Sequence, residues 1–285
     1  MSSPFGTILD FRLSFNGFYF SFFAECRVNV GLQGLIALKI TILFKDFPRK
    51  GNKGFQSMCT PQGQCLVSLY HYAMSYFIGI VAFVLWWLLY VATPFQKMYF
   101  SKRWTNDSRL EFWFTLIPFT IITSVLVPGL NVLFKLDSYK RPLLSFIAVG
   151  HQWYWHYEIG DEGRPATILE KEYKDKEEFE CYLKAINELL VGELAQLTTD
   201  TQLVLPLGVR TQIRVTAADV IHCWTINSFG IKMDCVPGHS NGTTFFIKRH
   251  GEFHGMCSEI CGVLHGFMPI QGVACSIAAW VGLPK

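Results

Sequence analysis

Two stretches of the chain, Tyr72 to Phe95 and Phe112 to Phe134, contain no Asp, Glu, Lys or Arg. As helices at ~1.5 Å per residue each reaches roughly 35 Å, enough to cross a bilayer. They predict a two-helix transmembrane hairpin over residues 68–136. Trp86, Trp87 and Tyr90, with Trp104 and Trp113 around the second span, are aromatics of the kind that settle at headgroup level. After Pro142 the pattern changes to short stretches bounded by Gly, Pro and Asn, the punctuation of a β domain. Leu143 to Tyr157, Gln202 to Leu207, Gln212 to Thr216, Thr243 to Lys248 and Pro269 to Ser276 read as strands, and His222 belongs to another. Several such strands imply a sandwich or partly open barrel over residues 137–285. Lys171 to Leu194 is mixed, acidic and helix-tolerant. Residues 1–67 read as an N-terminal extension, with aromatics around Phe15 to Phe23 and an apolar stretch from Val28 to Phe44 broken by Lys39.

Composition sharpens the membrane reading, since 51% hydrophobic and 16% charged residues are too apolar a balance for an ordinary soluble domain. The net charge of +3 hides an asymmetry: residues 1–150 hold 14 Lys and Arg against 6 Asp and Glu, while residues 151–285 hold 11 against 16. The connection Gln96 to Leu110 carries Lys97, Lys102, Arg103 and Arg109 against Asp107, which by the positive-inside rule faces the cytoplasm or its organellar equivalent. The β domain then lies on the opposite side. Its acidic surface suits a basic protein partner, and nothing in the chain points to nucleic acid.

The chemistry is concentrated in Cys257-Ser-Glu-Ile-Cys261-Gly-Val-Leu-His265-Gly-Phe-Met268, with His222 upstream in Val-Ile-His-Cys-Trp. Thiolates, imidazoles and a thioether form a soft donor set that selects copper, and the second cysteine allows two metal ions to share bridging sulfurs. A Cys₂His₂ zinc site using Cys257, Cys261, His265 and His222 is the competing metal reading, but it leaves Met268 unused. A Cys257–Cys261 disulfide would leave the His and Met spacing as coincidence. The cysteines at 26, 59, 65, 181, 223, 235 and 275 read as small buried hydrophobes. His151, Trp153, Trp155 and Tyr157 alternate along the expected strand and so share one face, with Gln152, Tyr154 and His156 on the other.

The Cys-x3-Cys-x3-His-x2-Met spacing, the upstream His222, the run Gln152-Trp153-Tyr154-Trp155 and the hairpin together resemble subunit II of cytochrome c oxidase, over roughly residues 65–285. The resemblance implies a membrane-anchored, cupredoxin-like Greek-key β-barrel holding a dinuclear copper A centre. Cys257 and Cys261 would bridge the coppers, His222 and His265 would each complete one metal, and Met268 would be a weak ligand. Glu259 would give its carbonyl to copper and its carboxylate to magnesium shared with subunit I. Trp153 matches the position where electrons arrive from cytochrome c, with Tyr154 and Trp155 supporting the site. Glu111, in Leu110-Glu111-Phe-Trp-Phe-Thr, matches the mouth of a proton channel into subunit I, although a carboxylate opening a helix is also what the macrodipole favours. Asp234 matches a segment at the same subunit interface, while Cys235 and His239 depart from the family pattern. The implied setting is the mitochondrial inner membrane, multi-pass, with the copper domain facing the intermembrane space. Its implied partners are cytochrome c, subunit I, other subunits of the complex and membrane lipid. The alternatives are the copper domain of a nitrous oxide reductase, disfavoured by the spans; a quinol oxidase subunit, which would lack the ligands; and a zinc-stabilised assembly protein or copper chaperone, which needs neither Trp153 nor Met268.

Overall fold

A computed structural model of the chain describes residues 45–49, 51–93, 106–136, 142–160 and 178–281. The stretches at Phe15–Phe23 and Val28–Phe44, Cys26, Trp104 and most of the basic connection lie outside the described residues.

Helix α1 spans Pro61–Ala92 and α2 spans Ser108–Leu136. Thr60 caps α1 by accepting from the Gly63 amide, and Pro61 occupies the first turn, where its missing N–H costs nothing. Asp107 opens α2 by accepting from the amides of Arg109 and Leu110. Glu111 in the first turn and Lys135 in the last match the helix dipole. The most apolar window of each helix is unburied by the rest of the chain, so both present apolar side chains all round, as helices solvated by lipid do. The stretch from Gly54 to Gln96 carries no Asp, Glu, Lys or Arg, and α1 starts within it. Its 32 residues reach roughly 48 Å, more than a hydrocarbon core of ~30 Å requires, and its first turn, with Thr60 and Gly63 buried, packs on the β domain.

The β domain is two packed sheets. In the first, β5 (Leu203–Pro206), β11 (Pro269–Cys275), β10 (Gly251–Met256), β7 (His222–Ile226) and β8 (Ile231–Cys235) lie in that order, and the short β1 (Lys45–Asp46) adds in parallel to β10. In the second the order is β4 (Glu178–Cys181), β3 (Tyr154–Ile159), β2 (Leu144–His151), β6 (Arg210–Ala217) and β9 (Asn241–Phe246). The pairs β2–β6 and β5–β11 are parallel, as crossovers between sheets require, and the rest within these two orders are antiparallel. A short α3 (Ile277–Val281) follows β11.

β2 and β6 alternate between buried and partly exposed positions, whereas β7 and β11 are buried along their whole length. The core between the sheets holds Phe146, Trp155 and Tyr157 from one and Trp224, Ile226, Phe253 and Ile270 from the other. Burying each large side chain is worth roughly 1.5–3 kcal/mol. Trp224 Nε1 donates to Tyr157 Oη across the sheets at 3.1 Å, so two buried polar atoms satisfy each other.

One expectation is corrected. Leu143 to Tyr157 is a hairpin, not one strand: β2 and β3 pair antiparallel and the chain reverses at Gln152-Trp153, setting His151 opposite Tyr154. The alternation therefore does not carry His151 and Trp153 onto the face of Trp155 and Tyr157. Lys171 to Leu194, helix-tolerant by composition, holds from residue 178 onward strand β4 and a 3₁₀ turn at Ile186–Glu188. Pairing of β4 with β3, Cys181 opposite Trp155, overrides the local helix tolerance.

Candidate metal centre

Three elements bring the donors together. β7 opens with His222, β10 runs into Cys257, and β11 begins after Met268. The loop between β10 and β11 is closed at its base, where the Cys257 amide donates to Met268 O at 3.3 Å, and Ser258 N donates to Cys223 O at 3.1 Å. A 3₁₀ turn at His265–Phe267 folds His265 back over the loop.

The ligand atoms of His222, Cys257 and Cys261 lie within 4.8 Å of one another, all three residues buried. The two sulfurs are 4.0 Å apart, about twice a disulfide bond, so the thiols are free. His222 Nδ1 is 3.9 Å from Cys257 Sγ, and His265 Nδ1 is 3.5 Å from Cys261 Sγ, so the imidazoles flank the two thiols. Met268 Sδ lies 3.5 Å from Cys261 Sγ with its side chain fully buried. Glu259 O is 3.4 Å from Cys257 Sγ, and the Glu259 side chain faces outward. Burial raises the Cys257 thiol, but hydrogen bonding from His222 and the nearby backbone outweighs it and brings the pKa to about 7. Burial and the neighbouring Cys257 charge push Cys261 up to about 12. The pair thus strongly prefers one negative charge to two until a cation is present.

The surroundings fix the ligands. His222 Nε2 lies 2.8 Å from Asp219 Oδ1, which leaves Nδ1 turned to the thiols. Burial opposes ionisation of Asp219, yet bonds from His222, Val220 N and Gln152 N hold its carboxyl below the usual value. Gln152 Nε2 also donates to Cys261 O at 2.7 Å, tying the β2–β3 turn to the ligand loop. Trp155 is fully buried, donates to Met268 O at 3.4 Å and sits edge-on to His222. Trp153 is half-buried; a Cβ at Gly262 would lie 3.1 Å from its indole, so the ring lies on the ligand loop. Tyr154 stacks between His151 and Tyr182. Glu111 stands apart from the cluster, exposed in the first turn of α2. Asp234 and His239 are exposed beyond β7.

Cys223 and Cys235 stay outside the cluster although Cys235 pairs opposite His222. Burial pushes them up to about 11 and about 12, so both are neutral core thiols, as expected. Asp219 was not among the sequence-derived site residues. Its signal was its place three residues before His222, but acidic residues at that spacing are common.

A two-helix membrane anchor carrying a cupredoxin-like domain, with a soft-donor cluster where β7, β10 and β11 meet, defines a class of membrane-anchored metal-binding domains. Within that class the chain belongs to the cytochrome c oxidase subunit II family. The family model for its periplasmic domain matches residues 144–274, and that for its transmembrane domain matches residues 48–132, starting earlier than the resemblance read over 65–285. A cytochrome c oxidase subunit 2 from Phytophthora megasperma is 37% identical over 237 residues, covering 82% of this chain and 86% of that one. The Cyanidium caldarium protein of the same name is 35% identical, covering 80% and 88%. The crystal structure of the periplasmic domain of subunit II of cytochrome oxidase from Bradyrhizobium japonicum is 33% identical with a TM-score of 0.41, covering 50% of this chain and 94% of that one.

Proposed function

We propose that this chain is the electron-accepting subunit of its oxidase: it takes electrons singly from cytochrome c and passes them to haem in subunit I, where oxygen is reduced to water with proton pumping. The observation that carries the reading is the convergence of His222, Cys257 and Cys261 within 4.8 Å, with His265 and Met268 on the second sulfur. The donor set fits copper, since thiolate, imidazole and thioether are its ligands and Met268 has no use in a zinc site. The separation fits as well: two metal–thiolate bonds of about 2.3 Å reach ~4.6 Å, so sulfurs 4.0 Å apart can share an ion.

Cys257 and Cys261 would hold a copper pair between them, His222 and His265 would each cap one ion, and Met268 with the Glu259 carbonyl would complete the set. When bound, the copper pair supplies reversible one-electron uptake shared over two ions. The chain's part is to keep these ligands still in both oxidation states. The closed loop base, the Asp219–His222 bond and the Gln152 clamp on Cys261 do so from rigid strands. Trp153 on the ligand loop is where cytochrome c would dock, supported by Tyr154 and Trp155, and the acidic charge of the domain would steer a basic donor. The outward Glu259 carboxylate would bind magnesium with subunit I, as oxygen chemistry favours. Glu111 would stand at the mouth of a proton path into subunit I. The setting would be the mitochondrial inner membrane, with the copper domain on the intermembrane-space side and lipid around α1 and α2.

The test is stopped-flow reduction of the copper-loaded chain by ferrocytochrome c. Trp153→Phe is expected to slow reduction roughly tenfold or more with metal content unchanged; an unchanged rate would remove Trp153 from the electron's path.

A further inference from the structure

The first turn of α1 is fastened to the β7–β8 hairpin that opens with His222. The 3₁₀ turn Asn227–Phe229 joins β7 to β8, and β7 begins with His222. Thr60 Oγ1 donates to Phe229 O at 2.5 Å, and Cys59 N donates to Ser228 O at 2.8 Å; all four residues are buried. Directly below, Gly63 of α1 meets Gly230, which ends the turn at φ +67°. A Cβ at Gly230 would lie 2.5 Å from Gly63 Cα, a backbone atom that cannot swing aside, where ordinary contact begins near 3.4 Å. The second helix is tied to the same domain, since Thr243 Oγ1 of β9 donates to Leu136 O at the end of α2.

We infer that the contact of α1 with the β7–β8 turn is a rigid coupling that sets the height and tilt of the metal centre over the membrane, with Thr60, Gly63 and Gly230 as positioning residues for electron transfer out of it. The inference rests on the proposed electron-relay function. His222 opens the five-residue strand that leads to the coupling, backbone paired along its whole length with β8 and held to β10 at Ile226, spanning roughly 13 Å from His222 to Ile226. A displacement at the turn is therefore carried to the metal centre as a movement of the whole domain against the membrane, while the ligands keep their mutual geometry. That makes onward transfer sensitive to the junction and electron uptake from a soluble donor insensitive to it.

The test uses the assembled oxidase carrying Gly230→Ala, which forces about 1 Å of separation between turn and helix. The control is Gly208→Ala, at φ +74° with open space around it, which brings the same backbone strain without a contact. In Gly230→Ala, copper-to-haem transfer is expected to slow about tenfold or more, because misplacement near 1 Å costs up to ~100-fold. Copper reduction by cytochrome c and the copper electron paramagnetic resonance spectrum are expected to match the wild type, and Gly208→Ala to match it in all three. Onward transfer within about twofold of wild type in Gly230→Ala would overturn the inference, as would an altered copper spectrum, which would place the effect at the ligands. Should Gly230→Ala fail to assemble, Thr60→Val decides in the same assay, since it removes both the bond to Phe229 O and the cap on α1 through which the turn is held, without adding bulk. Slower onward transfer alone supports the coupling, and unchanged transfer overturns it. Failure of wild-type copper to accept electrons from cytochrome c would instead be a failure of the relay function itself.

Discussion

The two imidazoles of the metal centre are held in opposite ways. His222 is fully buried at the head of an all-buried strand, its far nitrogen fixed by Asp219 and its ring against Trp155. His265 sits half-buried on a 3₁₀ turn of the ligand loop between exposed Leu264 and Phe267. One half of the site is built into the core and the other is laid over it. The core half ties ligand geometry to folding, whereas the loop half leaves a face with exposed Ile260, Val263 and Leu264 where other proteins can approach.

The largest break comes at the sulfurs shared by both halves. Cys257→Ser or Cys261→Ser is expected to abolish two-metal binding, with bound copper falling from two per chain to one or none by elemental analysis. Next comes the contrast between the halves in the metal-free protein. His222→Gln is expected to cost about 2–4 kcal/mol in urea unfolding, because it disturbs a packed site and takes from Asp219 its bond to the His222 ring. His265→Gln, altering a loop residue, is expected to stay within ~0.5 kcal/mol. Equal costs would show that the core half is no better anchored than the loop half. Asp219→Asn is expected to weaken copper affinity about 10–100-fold by competition titration. Trp155→Phe, which removes the bond to Met268 O and leaves a small cavity where the buried indole sat, should cost about 1–3 kcal/mol in the same unfolding experiment.

The same division governs what could be read from the sequence. The loop half was legible because its donors fall within twelve residues, Cys257 to Met268, and the loop has little freedom to scatter them. The hairpin was legible because a run without charge has few other places to go. The features that anchor the core half were hidden in tertiary pairing. The reversal at Gln152-Trp153 contains neither Gly nor Pro and interrupts an alternating run, so nothing local separates β2 from β3. Asp219 gains meaning only when β7 turns His222 toward it, and β4 is a strand because β3 offers it an edge. The stretch before α1 resembled an extension because the partners of Asp46, Cys59 and Thr60 lie about 170 to 200 residues away, at Ser228, Phe229 and Arg249.

The most direct test of the central claim is electron paramagnetic resonance, with copper and zinc analysis, on the copper-loaded full chain in detergent. Two coppers per chain sharing one unpaired electron are expected, with hyperfine splitting from both nuclei that disappears in Cys257→Ser and Cys261→Ser. A signal from a single isolated copper, or stoichiometric zinc in place of copper, would contradict the claim.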